Sequence, residues 1–165
     1  MASTIEGLRV EVRVSGMIRG ADGAKQVVLL DYDKQFTDGT GTDSIGQFWW
    51  DQTRALNNTS EDLDLAGSLP IFNGDMLALT DMKVLVLENL ATATGDNVIL
   101  KEGSSNPVAG LLGGTNPTLT LGPSGLLVWV SPVDGVTVTA GSADTIAIQT
   151  NDNMNYQVFV AGEDA

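Results

Sequence analysis

Thr118-Leu119-Thr120-Leu121, Leu126-Leu127-Val128-Trp129-Val130, Val136-Thr137-Val138-Thr139, Thr145-Ile146-Ala147-Ile148-Gln149 and Tyr156-Gln157-Val158-Phe159-Val160-Ala161 follow one another towards the carboxyl end of the chain. Gly, Pro, Asn, Asp and Ser fill the gaps between them, and no Lys or Arg occurs after Lys101. Short strand-like runs cut by turn residues at this spacing are the signature of an antiparallel sandwich or barrel.

The same texture extends towards the amino end. Leu8-Arg9-Val10-Glu11-Val12-Arg13-Val14 alternates without a break, which predicts a half-buried strand with Leu8, Val10, Val12 and Val14 facing the core. Gly16–Ala24 reads as a turn, Val27–Tyr32 as a second strand, and Asp33–Gly46 as a loop rich in Asp, Gly and Thr. Phe48-Trp49-Trp50 opens the next ordered run. Asp62-Leu63-Asp64-Leu65 alternates again, and Leu69–Asp75 is a connection. Met76–Met82 is the one helix candidate, one or two turns long, with Asp75 as its cap. Lys83–Leu90 is apolar on both faces, which predicts a central strand, and Asn97–Lys101 is a short strand. Ser104–Asn116 reads as a loop.

These elements add up to an all-β, jelly-roll-like antiparallel sandwich of about ten short strands in one domain spanning 1–165. Residues 1–7 form a possible extended arm. Two packed sheets suit the pattern because each hides one face against the other. A jelly roll accommodates the extra strands and the long connections better than an immunoglobulin-type sandwich does.

Composition excludes much chemistry. The 165 residues include no Cys and no His. Disulfides, thiolate metal sites, Ser-His-Asp and Cys-His arrangements are therefore impossible. Eight basic and 21 acidic residues give a net charge of −13, which repels nucleic acid and anionic membranes. The charge is uneven: residues 1–54 carry −2 and residues 55–165 carry −11. No stretch reaches the roughly 18 apolar residues of a membrane-spanning helix, and Met1–Ile5 lacks the features of a signal peptide. The chain is expected to be made in a cytoplasm.

The remaining candidate sites each have a plain structural reading beside the chemical one. Asp31 with Asp33, and Asp62 with Asp64, are carboxylates on one strand face that would suit a glycosidase or a cation. The plainer reading, two solvent-facing acids on an edge or outer face, outweighs the chemical one because neither pair sits in a recognisable catalytic motif. Asp38-Gly39-Thr40-Gly41-Thr42-Asp43 faintly resembles a calcium loop but lacks the terminal Glu and the spacing of an EF-hand. No phosphate-binding or dinucleotide motif is present, and no cofactor or metal is assigned. Trp49 and Trp50 are adjacent, so on a strand they point to opposite faces. One is core, and the other is an interface anchor or a carbohydrate-stacking platform. Trp129 reads as core.

Gly46-Gln47-Phe48-Trp49-Trp50-Asp51-Gln52-Thr53-Arg54 leads into Glu61-Asp62-Leu63-Asp64-Leu65-Ala66-Gly67. Later come Gly125–Pro132, Val136-Thr137-Val138-Thr139-Ala140-Gly141 and Asn155–Gly162. Together, and in this order, these stretches resemble a group of small β-rich structural proteins of tailed bacteriophages. The resemblance implies a virion component without catalytic activity. Within that class it points to a capsid decoration, or cement, protein on the outside of the head. Its partner would be the major capsid protein, and it would itself be a homo-oligomer, by preference a trimer. The expected contact elements are Met1–Leu8, Phe48–Trp50 and Ser104–Asn116, with Ile5, Leu8, Phe48, Trp49, Trp50, Leu111 and Leu112 as candidate interface residues. A tail or fibre-base virion protein and a carbohydrate-binding module are the alternatives.

Overall fold

The computed structural model describes residues 6–19, 23, 25–103, 105–113 and 116–164. Among the described residues thirteen strands occur and no helix is found. In chain order they are β1 (Arg9–Arg19), β2 (Lys25–Gln35), β3 (Thr37–Asp38), β4 (Ser44–Ile45), β5 (Gln47–Asn57), β6 (Ser60–Asp64), β7 (Leu79–Asn89), β8 (Val98–Glu102), β9 (Thr118–Leu121), β10 (Leu126–Val130), β11 (Val136–Thr137), β12 (Thr145–Thr150) and β13 (Asn153–Asp164). The expectation of about ten short strands is corrected on length as well as number. β1, β2, β5 and β7 have 11 residues each and β13 has 12.

Two sheets form the body. β10, β7, β13 and β5 lie side by side in that order, and β11 adds to β7 to make five strands. β6, β12, β8 and β9 form the second sheet. Without the β1–β2 ribbon and the two-residue strands, eight strands remain, and their pairing is nested. The first pairs with the last (β5 with β13), the second with the seventh (β6 with β12), the third with the sixth (β7 with β10) and the fourth with the fifth (β8 with β9).

The alternation of each strand fills the space between the sheets. Trp49, Leu85, Leu87, Tyr156, Val158 and Val160 from one sheet meet Leu63, Val98, Leu100, Leu121, Ile146 and Ile148 from the other in one continuous core. β7 lies between β10 and β13, as its two apolar faces predict. Its second face is covered by a smaller cluster in which Phe36 and Ile45 pack on Val84 and Ala161. The strand β13 bends at register shifts between Ala161 and Gly162 and between Glu163 and Asp164. Gly162 permits the first of these, because a Cβ there would run into the Asp81 carbonyl.

Four expectations change. Met76–Met82 is extended, not helical. The Leu77 N–H donates to the Leu69 carbonyl at 2.7 Å and the Leu79 N–H to the Leu65 carbonyl at 2.9 Å. Leu77 and Leu79 are both buried, an alternation that suits a strand and would split across a short helix. Asp75 accordingly caps no helix and belongs to a turn. Asp33–Gly46 is not a free loop. It finishes β2, delivers Phe36 and Ile45 to the second cluster, and is pinned by Lys83, whose ammonium donates to the Gly41 carbonyl and pairs with Glu163. Gly16 lies inside β1, which runs on to Arg19. Residues 20–22 and 24 of the predicted turn fall outside the described residues. Finally, β1 joins neither sheet of the body. It pairs with β2 alone, from Arg9 opposite Gln35 to Arg19 opposite Lys25, and Val14 is 57% exposed.

Candidate interaction surface

The outer face of the five-stranded sheet carries an apolar centre, bounded on one side by Gln157 and Glu88. Register lays out two rows across it. Trp50, Phe159, Val86 and Val128 stand abreast, and Phe48, Ala161, Val84 and Val130 stand in the next row. A sheet face left to water alternates towards polar residues, so a face like this one is meant to be covered. The chain covers its centre with Phe36, Ile45, Leu8 and Val10. Its margins stay open. Phe48 is 38% and Trp50 49% exposed on β5, and Leu126 is 59% exposed on β10.

At the β5 margin a cleft of about 460 Å³ is lined by Phe48, Trp49, Trp50, Pro70, Ile71 and Phe72. Phe48 stacks on Phe159 with ring centroids 5.8 Å apart and planes 25° apart, which fixes one wall. The opposite wall is a turn closed by its own hydrogen bonds. The Ile71 N–H donates to the Asp75 carbonyl at 2.9 Å, the Gly74 N–H to the Ile71 carbonyl at 3.0 Å, and the Asp75 N–H to Asn73 Oδ1 at 3.0 Å. A bridge between Pro70 and Met76 closes its base. This frame holds Phe72 out, fully exposed.

At the other side the ribbon β1–β2 leans over the sheet. Leu8 and Val10 at its base pack on the second cluster. Burial falls along the ribbon, and grooves of about 330 and 230 Å³ open between it and the sheet. Val12, Leu30 and Tyr32 face Val128 and Val130 across the narrower one.

The predicted interface residues separate on this geometry. Phe48 and Trp50 are exposed and line the cleft. Trp49 is corrected: it is 6% exposed and belongs to the inter-sheet core, with the Arg54 guanidinium 5.4 Å above its ring. Leu8 is partly buried under the ribbon. Leu111 and Leu112 are partly buried against the main core. Their loop is tied down where the Val108 N–H donates to the Thr145 carbonyl at 2.9 Å. Ile5 lies outside the described residues, as does most of the predicted arm over 1–7. Trp129 is partly buried against the main core.

Phe72 and the apolar end of the ribbon were missed by sequence reading. A Phe between Ile71 and Asn73, in a stretch already read as a turn, was the available signal. The turn leaves that side chain no core to enter.

One member of each acid pair serves the fold. Asp33 accepts two hydrogen bonds from Arg9, at 2.7 and 2.6 Å, which holds its carboxyl below the usual range. Asp31 stands opposite Arg13. Asp64 accepts from the Ala66 N–H at 2.8 Å and from the Ser68 hydroxyl, so it shapes the turn after β6. In the Asp38–Asp43 loop, Asp43 pairs with Lys34 at 2.6 Å and the Gly41 N–H donates to Glu163 at 2.9 Å. No group of three or more metal-ligating side chains occurs among the described residues.

Comparison with known proteins finds no matching family model, no similar curated protein and no similar solved structure.

Proposed function

We propose that this chain is a structural protein of a tailed-bacteriophage virion, and most specifically a decoration protein on the exterior of the capsid. It is made in the host cytoplasm, binds the lattice of the major capsid protein and performs no catalysis. The observation that carries this reading is Phe72, held fully exposed by a hydrogen-bonded turn beside Trp50 and Phe48. Aromatic side chains fixed in a well-formed cleft are what a docking contact needs, since they bury much area at little entropic cost. We read the nested pairing of the eight body strands as jelly-roll winding, which agrees with the resemblance to small phage structural proteins.

Acting as cement requires no strong single contact. Many copies bridging neighbouring capsid subunits add modest energies, and multivalency makes the sum large enough to oppose the outward pressure of packed DNA. The acidic body would keep decorated particles dispersed. The test is the copy number of the chain in purified virions, measured by quantitative mass spectrometry against the major capsid protein. Hundreds of copies per particle support the head assignment. A few to tens would move it to the tail or fibre base, and absence from the particle would overturn the reading. Trp49 is core, so a carbohydrate platform would have to rest on Trp50 without its neighbour.

A further inference from the structure

The ribbon β1–β2 is apolar where this chain leaves it bare. Register places Val14 opposite Leu30 on one face and Met17 opposite Val27 on the other, with Leu29 beside them. All five are more than half exposed. An isolated two-stranded ribbon is marginally stable in water, and an exposed one normally carries polar residues on at least one face. A ribbon apolar on both faces is suited to lie between two surfaces.

The chain itself shows what such a surface looks like. The base of the ribbon already packs, through Leu8 and Val10, on the outer face of the five-stranded sheet. Past that contact the same two walls continue, open, as the groove between Val12, Leu30 and Tyr32 on the ribbon and Val128 and Val130 on the sheet, with Leu126 uncovered at the margin. The free end of the ribbon and the free length of the groove are the two unsatisfied halves of one kind of contact.

Charge selects the occupant. Residues 9–35 hold five of the eight basic side chains and four of the 21 acidic ones, so the ribbon carries +1 while the rest of the chain carries −14. At its far end Arg19 stands directly opposite Lys25, a like-charged pair that costs stability unless an acidic surface answers it. The body of another copy is such a surface, and Glu88 sits opposite Leu126 at the margin of the groove.

We infer that the ribbon is a self-association arm whose exposed end seats in the groove between ribbon and five-stranded sheet of a second copy. Reciprocated within a pair, the contact makes a dimer; passed from copy to copy, it closes a ring such as a trimer. The inference stands apart from capsid binding, because the Trp50–Phe72 cleft takes no part in it.

Sedimentation velocity on the full chain at tens of micromolar tests it. The wild type is expected to sediment as a discrete oligomer. The double variant Met17→Glu/Leu29→Glu should raise the dissociation constant roughly hundredfold or more and sediment as a monomer. Its thermal midpoint should be unchanged at dilutions where the wild type is also monomeric, since both side chains are exposed. Arg19→Glu/Lys25→Glu leaves the apolar contacts alone and should weaken association, most visibly at low salt. The chain has no Cys, so a mixture of Met17→Cys and Leu126→Cys chains should give a disulfide-linked heterodimer under mild oxidation. A wild type that stays monomeric, or an oligomer that survives both double variants, overturns the inference.

Discussion

Glu61 of β6 grips Arg54 of β5 with two hydrogen bonds, 2.8 Å from Nε to Oε1 and 2.6 Å from Nη2 to Oε2. The two strands belong to different sheets, so this bidentate pair ties the sandwich together where the chain crosses between its layers. The Tyr156 hydroxyl donates to the same carboxylate from β13, and the guanidinium lies over Trp49. Burial, with Glu61 as its acceptor, pushes the Tyr156 phenol well above its ordinary value, and the Glu61 hydrogen bonds raise Arg54.

Removing the carboxylate therefore strands two partners at once. Glu61→Ala is expected to cost about 2–3 kcal/mol, seen as a fall of roughly 5–10 °C in thermal midpoint. Tyr156→Phe leaves the Arg54 pair intact and should cost about 1 kcal/mol. A double-mutant cycle between Arg54→Ala and Glu61→Ala should show coupling; simple additivity would mean that the pair holds nothing together.

Lys83 and Glu163 make the stability sensitive to acid. The Lys83 hydrogen bond holds the Glu163 carboxyl below its usual range, with the Gly41 N–H acting the same way. A carboxyl lowered on folding stabilises above its unfolded value of about 4.5, and that contribution disappears as pH falls through the lower folded value. The thermal midpoint of the wild type should thus drop below about pH 4.5 by more than that of Lys83→Met.

The same pair predicts an order of damage at neutral pH. Lys83 is fully buried, so Glu163→Gln leaves a buried cation without its counter-charge and should cost about 3 kcal/mol or more. Lys83→Met removes the buried charge itself and should cost less. Urea midpoints of the two variants check the order.

Phe72 and Trp50 should separate docking from folding. Phe72 is fully exposed, so Phe72→Ser should change stability by no more than about 0.5 kcal/mol. Trp50→Ser is expected to cost more, about 1–3 kcal/mol, because half of that side chain is buried, so its binding is measured at a temperature where the variant stays folded. Both should lower binding to capsids that lack this protein, measured by co-sedimentation with the particles, while leaving self-association unchanged.

Gly162→Ala should be among the most damaging small substitutions. The added methyl would meet the Asp81 backbone, which β13 and β7 cannot move without giving up their register. A loss of about 2 kcal/mol or more is expected, read from chemical denaturation.

Much of the body was legible because its strands obey a period of two with little interference. Thr118–Leu121 and Leu126–Val130 are strands with the predicted bounds, and β7 is central as its two apolar faces require. Met76–Met82 misled because so short an apolar run does not fix a period by itself, although the spacing of Leu77 and Leu79 already suits a strand. Long-range hydrogen bonds to Leu65 and Leu69 decided between them. The interaction surface was half legible. Adjacent Trp residues had to face opposite ways, but nothing local says which is inside. Trp49 is buried because β5 presents it to the core beneath Arg54, and Trp50 is left at the margin beside Phe159.

The sequence alone determined an all-β chain, a core built from alternating side chains, and a chemistry without thiol or imidazole, because alternation and composition are local properties. Tertiary structure alone decided that β1 pairs only with β2, in a ribbon whose base packs on the five-stranded sheet, that the Asp38–Asp43 loop is pinned by a buried lysine, and that Phe72 is held out beside Trp50. Each depends on which distant strands lie next to one another, and a strand's own residues do not encode the identity of its neighbour.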